Sequence, residues 1–279
     1  MTPVLQLNLL FTVVKISLII LTYNYPTALA HIFESLIRQT VQPHEVIIAD
    51  DGSAQETADV IIRYQSVCPF AVHHIWQEKK GFRISLLRNK GIAKSKGDYL
   101  IFSDGDRALH PCFIKTLRKT PARAKLKSAD ARFLPGQYTE QILSVPFSLK
   151  NYTAAPRRAF EKNYINSFHL SFLIPLLPVY REPKMLNGGL VGLFREDVMA
   201  VDGFDAAYEG WGREDSDFLI RLLHKGIAVK KLKFAGITYH LWHPSVPRDN
   251  LSANDRLLEE VIRERRTQPR IGVSALTDC

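Results

Sequence analysis

Between Lys15 and Asp106 the chain alternates short aliphatic runs with segments of helical spacing, and this rhythm restricts the fold more than any other feature. Lys15 to Thr22 is a continuous strand-type run that Tyr23-Asn24-Tyr25-Pro26 interrupts, after which Leu29, Ile32, Phe33, Leu36 and Ile37 recur at helical spacing. Glu45 to Ala49 reads as a second strand, Thr57 to Tyr64 as a helix, and Ala71 to Trp76 as a third strand. Ile84 to Lys94 is again helical in spacing, and Tyr99 to Phe102 closes the series as a fourth strand. Strands separated by helices need a sheet covered on both faces, so the spacing predicts an α/β domain with a mostly parallel central sheet.

Two of these strands run straight into carboxylates: Asp50-Asp51-Gly52-Ser53 after the second, Asp104-Gly105-Asp106 after the fourth. Open sheets of this class bind ligands at the carboxyl edge of their strands, where both clusters would meet. Two carboxylates one residue apart can converge on a hard divalent cation, magnesium or manganese, with phosphates completing its shell. Both segments are also good turn chemistry, and Asp50-Asp51-Gly52-Ser53 could simply cap a helix. A third acid cluster, Glu214, Asp215 and Asp217, follows Tyr208-Glu209-Gly210-Trp211-Gly212-Arg213. Transfer from a nucleotide donor needs partners for base and ribose, a metal site for the diphosphate, and a carboxylate base for the attacking hydroxyl; one cluster fits each task.

The rest of the chain is less regular. Phe113 to Lys119 and Asn163 to Leu173 have helical character, but residues 121–183 carry scattered prolines, bases and aromatics without a clear period. Met185 to Phe194 reads as a strand containing small residues, Arg195 to Ala200 as a short helix, and Val201 to Asp205 as a turn. Phe218 to His224 is helical in spacing, Val229 to Leu232 is a late strand, and Thr238 to Pro244 holds His240 and His243. Asn254 to Arg266 is amphipathic and charge-rich, expected as a solvated helical face. The resulting division is an N-terminal extension over 1–14, one domain over 15–250, and a C-terminal helix and tail over 251–279. Within the domain, 15–110 forms the nucleotide-binding half, 111–184 a variable insertion, and 185–250 the smaller acceptor-side half.

The excess of nine positive charges at pI ≈ 9.4 points to polyanionic company. No basic run is interleaved with aromatics, which argues against nucleic acid and leaves phosphorylated small molecules or an anionic membrane surface. Cys68, Cys112 and Cys279 are far apart, odd in number and match no metal spacing, as expected of reduced thiols in a cytoplasmic protein. The apolar stretch from Leu5 to Leu21 is interrupted by Gln6, Asn8 and Lys15, and its second half is explained as a buried strand rather than a membrane span.

Taken together, Ile20-Leu21-Thr22-Tyr23-Asn24, Val46 to Ser53, Arg88-Asn89-Lys90-Gly91-Ile92 and Phe102 to Asp106 resemble the nucleotide-binding half of family 2 glycosyltransferases with the GT-A (Rossmann-like) fold. Asn187-Gly188-Gly189, Asp202-Gly203-Phe204-Asp205 and Gly210 to Phe218 resemble the acceptor half of β-1,4-galactosyltransferase-like and chondroitin-polymerase-like enzymes. The resemblance implies that Thr22 and Asn24 line the nucleotide pocket, that Asp51 with Asp50 meets uracil and ribose, and that Arg83 and Arg88 lie by the base or phosphates. It implies Asp106 as direct metal ligand, Asp104 reaching ribose or metal, and Asp215 as catalytic base beside Glu214. A downstream histidine would complete the metal shell; both His240 and His243 are available, and His240, directly after a strand-like stretch, is the favoured one. Trp211 offers an aromatic plate for a sugar face, with glycines on either side that permit loop closure.

The implied activity is a metal-dependent (Mn2+ or Mg2+) inverting transfer of a sugar, from a UDP-sugar to a glycan or lipid-linked glycan of the bacterial surface. The setting is cytoplasmic, at or near the inner face of the membrane. A sugar-phosphate nucleotidyltransferase could share the sheet and acids, but no glycine-rich basic loop near residue 20 is present to cradle a triphosphate. A catalytically silent glycan-binding protein is the other alternative; the three acid clusters and Trp211 speak against it.

Overall fold

The computed structural model describes residues 14–118, 125–128, 131–153, 179–180, 190–231 and 236–276. The N-terminal half follows the expected rhythm: β1 (Ile16–Thr22), α1 (Pro26–Ile37), β2 (Glu45–Asp50), α2 (Gln55–Val67), β3 (Ala71–Trp76), α3 (Ile84–Lys94) and β4 (Tyr99–Asp104). It continues through β5 (Arg107–Leu109), α4 (Phe113–Arg118), β6 (Lys125–Ser128), β7 (Ala131–Phe133), α5 (Gly136–Leu143) and α6 (Leu149–Thr153). The C-terminal half adds β8 (Val179–Tyr180), β9 (Leu190–Phe194), α7 (Arg195–Ala200), α8 (Glu214–His224), β10 (Ala228–Lys231), β11 (Thr238–His240) and α9 (Leu251–Glu264).

Eight strands form one sheet in the order β3-β2-β1-β4-β9-β6-β10-β8, and β5-β11-β7 form a second, small sheet. The first four strands are mutually parallel, while β9 runs antiparallel to β4. Alternation along each central strand divides the core in two. Leu18, Ile20, Tyr99 and Ile101 pack with α1, α2 and α4 residues on one face; Ile19, Leu100 and Phe102 pack with α3 and α8 residues on the other. A third cluster, including Tyr152, Tyr239 and Leu241, underlies the small sheet.

Three boundaries differ from the sequence expectation in ways that matter for the site. Helix α8 begins at Glu214 rather than Phe218, so the acid pair sits on its first turn and not in a loop. Strand β5, immediately after Asp104-Gly105-Asp106, pairs with β11 and places His240 opposite Arg107. The C-terminal helix is more than a solvated face: Asn254 and Val261 are buried, and residues beyond it return to the core. There Asp205 accepts hydrogen bonds from the Arg270 and Ile271 backbones, and Val273 joins the α3–α8 side of the core. Asn187-Gly188-Gly189, with the first half of the Met185–Phe194 strand expectation, the Asn163–Leu173 helix expectation and residues 1–13 lie outside the described residues. Among the described residues no helix is long and apolar enough to cross a membrane. Cys68 and Cys112 carry free thiols, and burial raises the Cys68 pKa to about 11.

Candidate active site

Strand register explains how the first two acid clusters meet. Strand β1 lies between β2 and β4, pairing Thr22 with Asp50 and Leu21 with Asp104, so both acidic strand ends open on one edge. Gly105 is required by close approach: a Cβ there would lie 2.1 Å from the Leu21 carbonyl oxygen. No side chain fits between the turn and the end of β1, which is why the two aspartates are separated by glycine.

At the β2 end, Asp50 is buried, accepts from the Ser53 backbone at 2.8 Å and lies 3.1 Å from His74 Nε2. Asp51 is also buried; it accepts from Gln77 Nε2 at 2.7 Å and pairs with Lys79. Lys79 Nζ in turn stands 4.1 Å from the centre of the exposed Tyr23 ring. Asn24, with φ of 45°, ties the β1 loop to the β2 loop: its backbone N–H donates to Ser53 Oγ and its Oδ1 accepts from the Ala54 N–H. Thr22 Oγ1 is buried without a hydrogen-bond partner, an acceptor and donor available to a ligand. Arg83 caps α3 by sequence position and gives its Nη2 to the Glu78 carbonyl at 2.8 Å.

At the β4 end the two aspartates part company. Asp106, His240 and His243 bring ligand atoms within 4.8 Å of one another, a group that could hold a metal ion. His240 Nε2 is 3.5 Å and His243 Nε2 3.2 Å from the Asp106 carboxylate, so both histidines left open by the sequence converge on it. The small sheet produces this arrangement: β11 pairs with β5, and the Leu241 N–H donates to the Asp106 carbonyl at 2.8 Å. Burial, and then Asp104, raise the Asp106 pKa to about 6, and Asp106 Oδ1 is buried without a hydrogen bond. Burial, and then Arg107, lower His240 to about 3, leaving a neutral imidazole. One carboxylate oxygen and two imidazole nitrogens, with a buried acceptor lacking a donor, fit a divalent ion such as Mn2+. Asp104 lies outside that group. It faces Arg107 Nε at 3.3 Å and Arg88 Nη2 at 3.5 Å.

Arg88 is the hub of the third cluster. It is 4% exposed, and beyond Asp104 it reaches Asp215 at 2.7 Å and Glu214 at 3.5 Å. The guanidinium expected beside base or phosphates therefore spans three carboxylates, linking the end of β4 to the first turn of α8. Burial raises the pKa of both acids, with Asp215 adding to the effect on Glu214, which reaches about 7; Arg88 opposes the rise in each. A carboxylate held near neutrality in this way can accept a proton and return it. Asp217 does not belong with them. It is fully buried and pairs with Arg221 at 2.8 Å, while Arg221 also donates to the Val201 and Gly203 carbonyls.

The loop before α8 holds three left-handed residues, Gly210 (φ +74), Gly212 (φ +105) and Arg213 (φ 76), with Trp211 between the glycines at 36% exposure. Such backbone brings the chain sharply into the helix and leaves the indole at the surface. Arg248 stands over that ring, 4.5 Å from its centre.

Several contributors were not singled out from the sequence. Lys79, Gln77 and His74 hold the Asp50-Asp51 pair, and Arg107 holds Asp104. Lys79 and Arg107 each lie three residues beyond a strand end, those of β3 and β4, and this position is the signal that could have nominated them.

Comparison with known proteins agrees with this architecture. Residues 17–168 match the glycosyl transferase family 2 model, and residues 169–244 match a model described as the N-terminal domain of galactosyltransferase. The Bacillus subtilis (strain 168) glycosyltransferase YwdF is 30% identical over 86% of this chain and 78% of its own length. The Escherichia coli chondroitin synthase is 23% identical over 81% of this chain, which spans 34% of that protein. For the validoxylamine A glucosyltransferase of Streptomyces hygroscopicus subsp. limoneus the figures are 28% identity, 76% of this chain and 48% of the relative. Among solved structures, GalNAc-T7 with UDP, GalNAc and Mn2+ superposes with a TM-score of 0.63 at 15% identity, covering 90% of this chain and 48% of that one. Mycobacterium tuberculosis glucosyl-3-phosphoglycerate synthase, with Mn2+, UDP and product, gives 0.54 at 19% identity, covering 92% and 81%. At these identities the structures share the GT-A fold. The sheet with its acidic carboxyl edge and the family match over more than half of the chain lead to one conclusion: this protein belongs to glycosyl transferase family 2.

Proposed function

We propose that the chain is a metal-dependent inverting glycosyltransferase that moves a sugar from a UDP-sugar to a hydroxyl of a glycan or lipid-linked glycan. Bacterial surface polysaccharide synthesis, suggested by relatives such as the chondroitin synthase of Escherichia coli, is the setting. The observation that carries the reading is a pair of sites joined by Asp104-Gly105-Asp106: Asp106 meets His240 and His243, while Asp104 shares Arg88 with Glu214 and Asp215. Structural neighbours crystallised with Mn2+ and UDP support the choice of ion and nucleotide. The positive charge excess supports peripheral contact with an anionic membrane.

Asp106, His240 and His243 would hold the divalent ion, which when bound supplies Lewis-acid stabilisation for the departing diphosphate. Thr22, Asn24, Asp50 and Asp51 face the nucleoside. Asp215 accepts the proton of the attacking hydroxyl, and Arg88, at 2.7 Å, aims that carboxylate and opposes the rise that burial imposes on its pKa. Glu214, held near neutrality by burial, shares the same guanidinium and keeps the charge of the pair from becoming fully negative. Trp211 supplies a flat apolar face for a sugar ring.

Calorimetry with UDP, in the presence and absence of Mn2+, is the direct test. UDP should bind at least about tenfold more tightly with the ion, and Asp106→Ala should abolish the difference, as loss of a first ligand does. Equal affinity with and without Mn2+ in the wild type would overturn the metal assignment. A UDP-release screen of UDP-sugars against glycan acceptors then identifies the reaction; pyrophosphate release from a nucleoside triphosphate and sugar phosphate would replace it with nucleotidyl transfer.

A further inference from the structure

The loop that opens α8 is gripped by residues beyond 244, where the matched family regions end. Asn254, 2% exposed on the first turn of α9, donates from Nδ2 to the Glu209 carbonyl at 3.0 Å and to the Gly212 carbonyl at 2.9 Å. Asn250 adds a hydrogen bond to Glu209 O at 3.2 Å, and Asp255 pairs with Arg213. On its other side the loop is tied to the nucleotide half, where the Gly210 N–H donates to the Phe82 carbonyl at 3.0 Å. The two carbonyls bound by Asn254 flank Trp211 and precede Glu214 by five and two residues, so one buried amide sets the span from which the indole projects and α8 begins. Left-handed backbone at Gly210, Gly212 and Arg213 gives the loop little regular hydrogen bonding of its own, and side chains of α9 replace it.

We propose that Asn254 is a positioning residue for the transfer reaction. Through Glu209 and Gly212 it holds Trp211 and the first turn of α8, and so fixes where an acceptor sugar meets Asp215. The grip on the loop follows from the geometry alone; its effect on the acceptor rests on the function proposed above. A misplacement of about 1 Å at such a distance from the chemistry is enough to cost on the order of a hundredfold in rate.

Two measurements on the whole 279-residue chain separate the grip from its effect. The variants are Asn254→Ala and Asn254→Asp, the second keeping the volume while turning a carboxylate toward the two carbonyls. In hydrogen exchange, peptides covering 209–213 should exchange about tenfold faster or more, while those of β1 and β4 keep their rates. With the donor and acceptor that the UDP-release screen returns, acceptor KM should rise or kcat fall by about tenfold, while UDP affinity with Mn2+ stays within about twofold. Unchanged exchange at 209–213 overturns the grip. Faster exchange with unaltered acceptor kinetics overturns the positioning role, as does loss of UDP binding in step with turnover, the mark of a purely structural residue. Should Asn254→Ala fail to fold, Asn254→Asp and Asn250→Ala carry the same test. Absence of UDP release with every acceptor defeats the proposed function and leaves the exchange result standing.

Discussion

Two buried arginines answer to the same short run of acids, and they do opposite things. Arg221, fully buried, meets one carboxylate, Asp217, and gives its remaining donors to the carbonyls of Val201 and Gly203. Charge is balanced there, and the group ties α8 to the turn after α7. Arg88, almost as buried, faces Asp104, Glu214 and Asp215, with Arg107 beside it at Asp104. Three carboxylates share one guanidinium there, so negative charge is left over. A balanced buried pair is architecture, because breaking it strands one charge; an unbalanced one is a site, because a proton or cation can relieve it.

That contrast can be broken in three places. The largest effect is expected for Arg221→Ala, which leaves Asp217 as an unpaired buried carboxylate and should cost about 3–5 kcal/mol in urea unfolding. Near-wild-type stability with lost turnover would transfer Arg221 from the architecture to the site. Next comes Asp215→Asn: turnover should fall by about a hundredfold or more while UDP binding in the presence of Mn2+ and the unfolding midpoint hold, since the base is lost and excess charge is relieved. Retained turnover removes Asp215 as base.

Glu214→Gln is the smallest and most pointed. The folded pKa of Glu214, about 7, lies above its ordinary value of 4.5, so its contribution to stability is fully present below pH ~4.5 and is lost as pH rises through 7. The Gln variant should therefore match the wild type near pH 4.5 and exceed it at pH 8, read as a higher Tm there. A variant less stable than wild type at pH 8 would mean that the Arg88 contact outweighs the burial cost, and that Glu214 belongs with Asp217.

The donor-side geometry is legible along the chain because it is local. A buried strand that ends in Asp-Gly-Asp carries its acids to the sheet edge wherever the strand goes, and alternation in β1 and β4 already assigns the two faces of the core. His240 and His243 are less local: their link to Asp106 depends on β5, three residues long and too short to leave a period. Glu214, Asp215 and Asp217 are indistinguishable as letters. Helical rotation of about 100° per residue turns Asp217 away from Asp215, and nearly one turn of rise carries it past Glu214 to Arg221, leaving the other two at Arg88.

By itself, then, the amino-acid order determined the α/β class, the acidic carboxyl edge and the residue types of the site, since each follows from period, strand ends and short-range steric need such as Gly105 against Leu21. Only the tertiary structure decided which acids share Arg88, that both histidines reach Asp106, and that α9, apparently a solvated helix, grips the Trp211 loop through Asn254. The physical reason is separation: Arg88 and Asp215 are 127 residues apart, Asp106 and His243 meet through a three-strand sheet, and no local propensity records such distances.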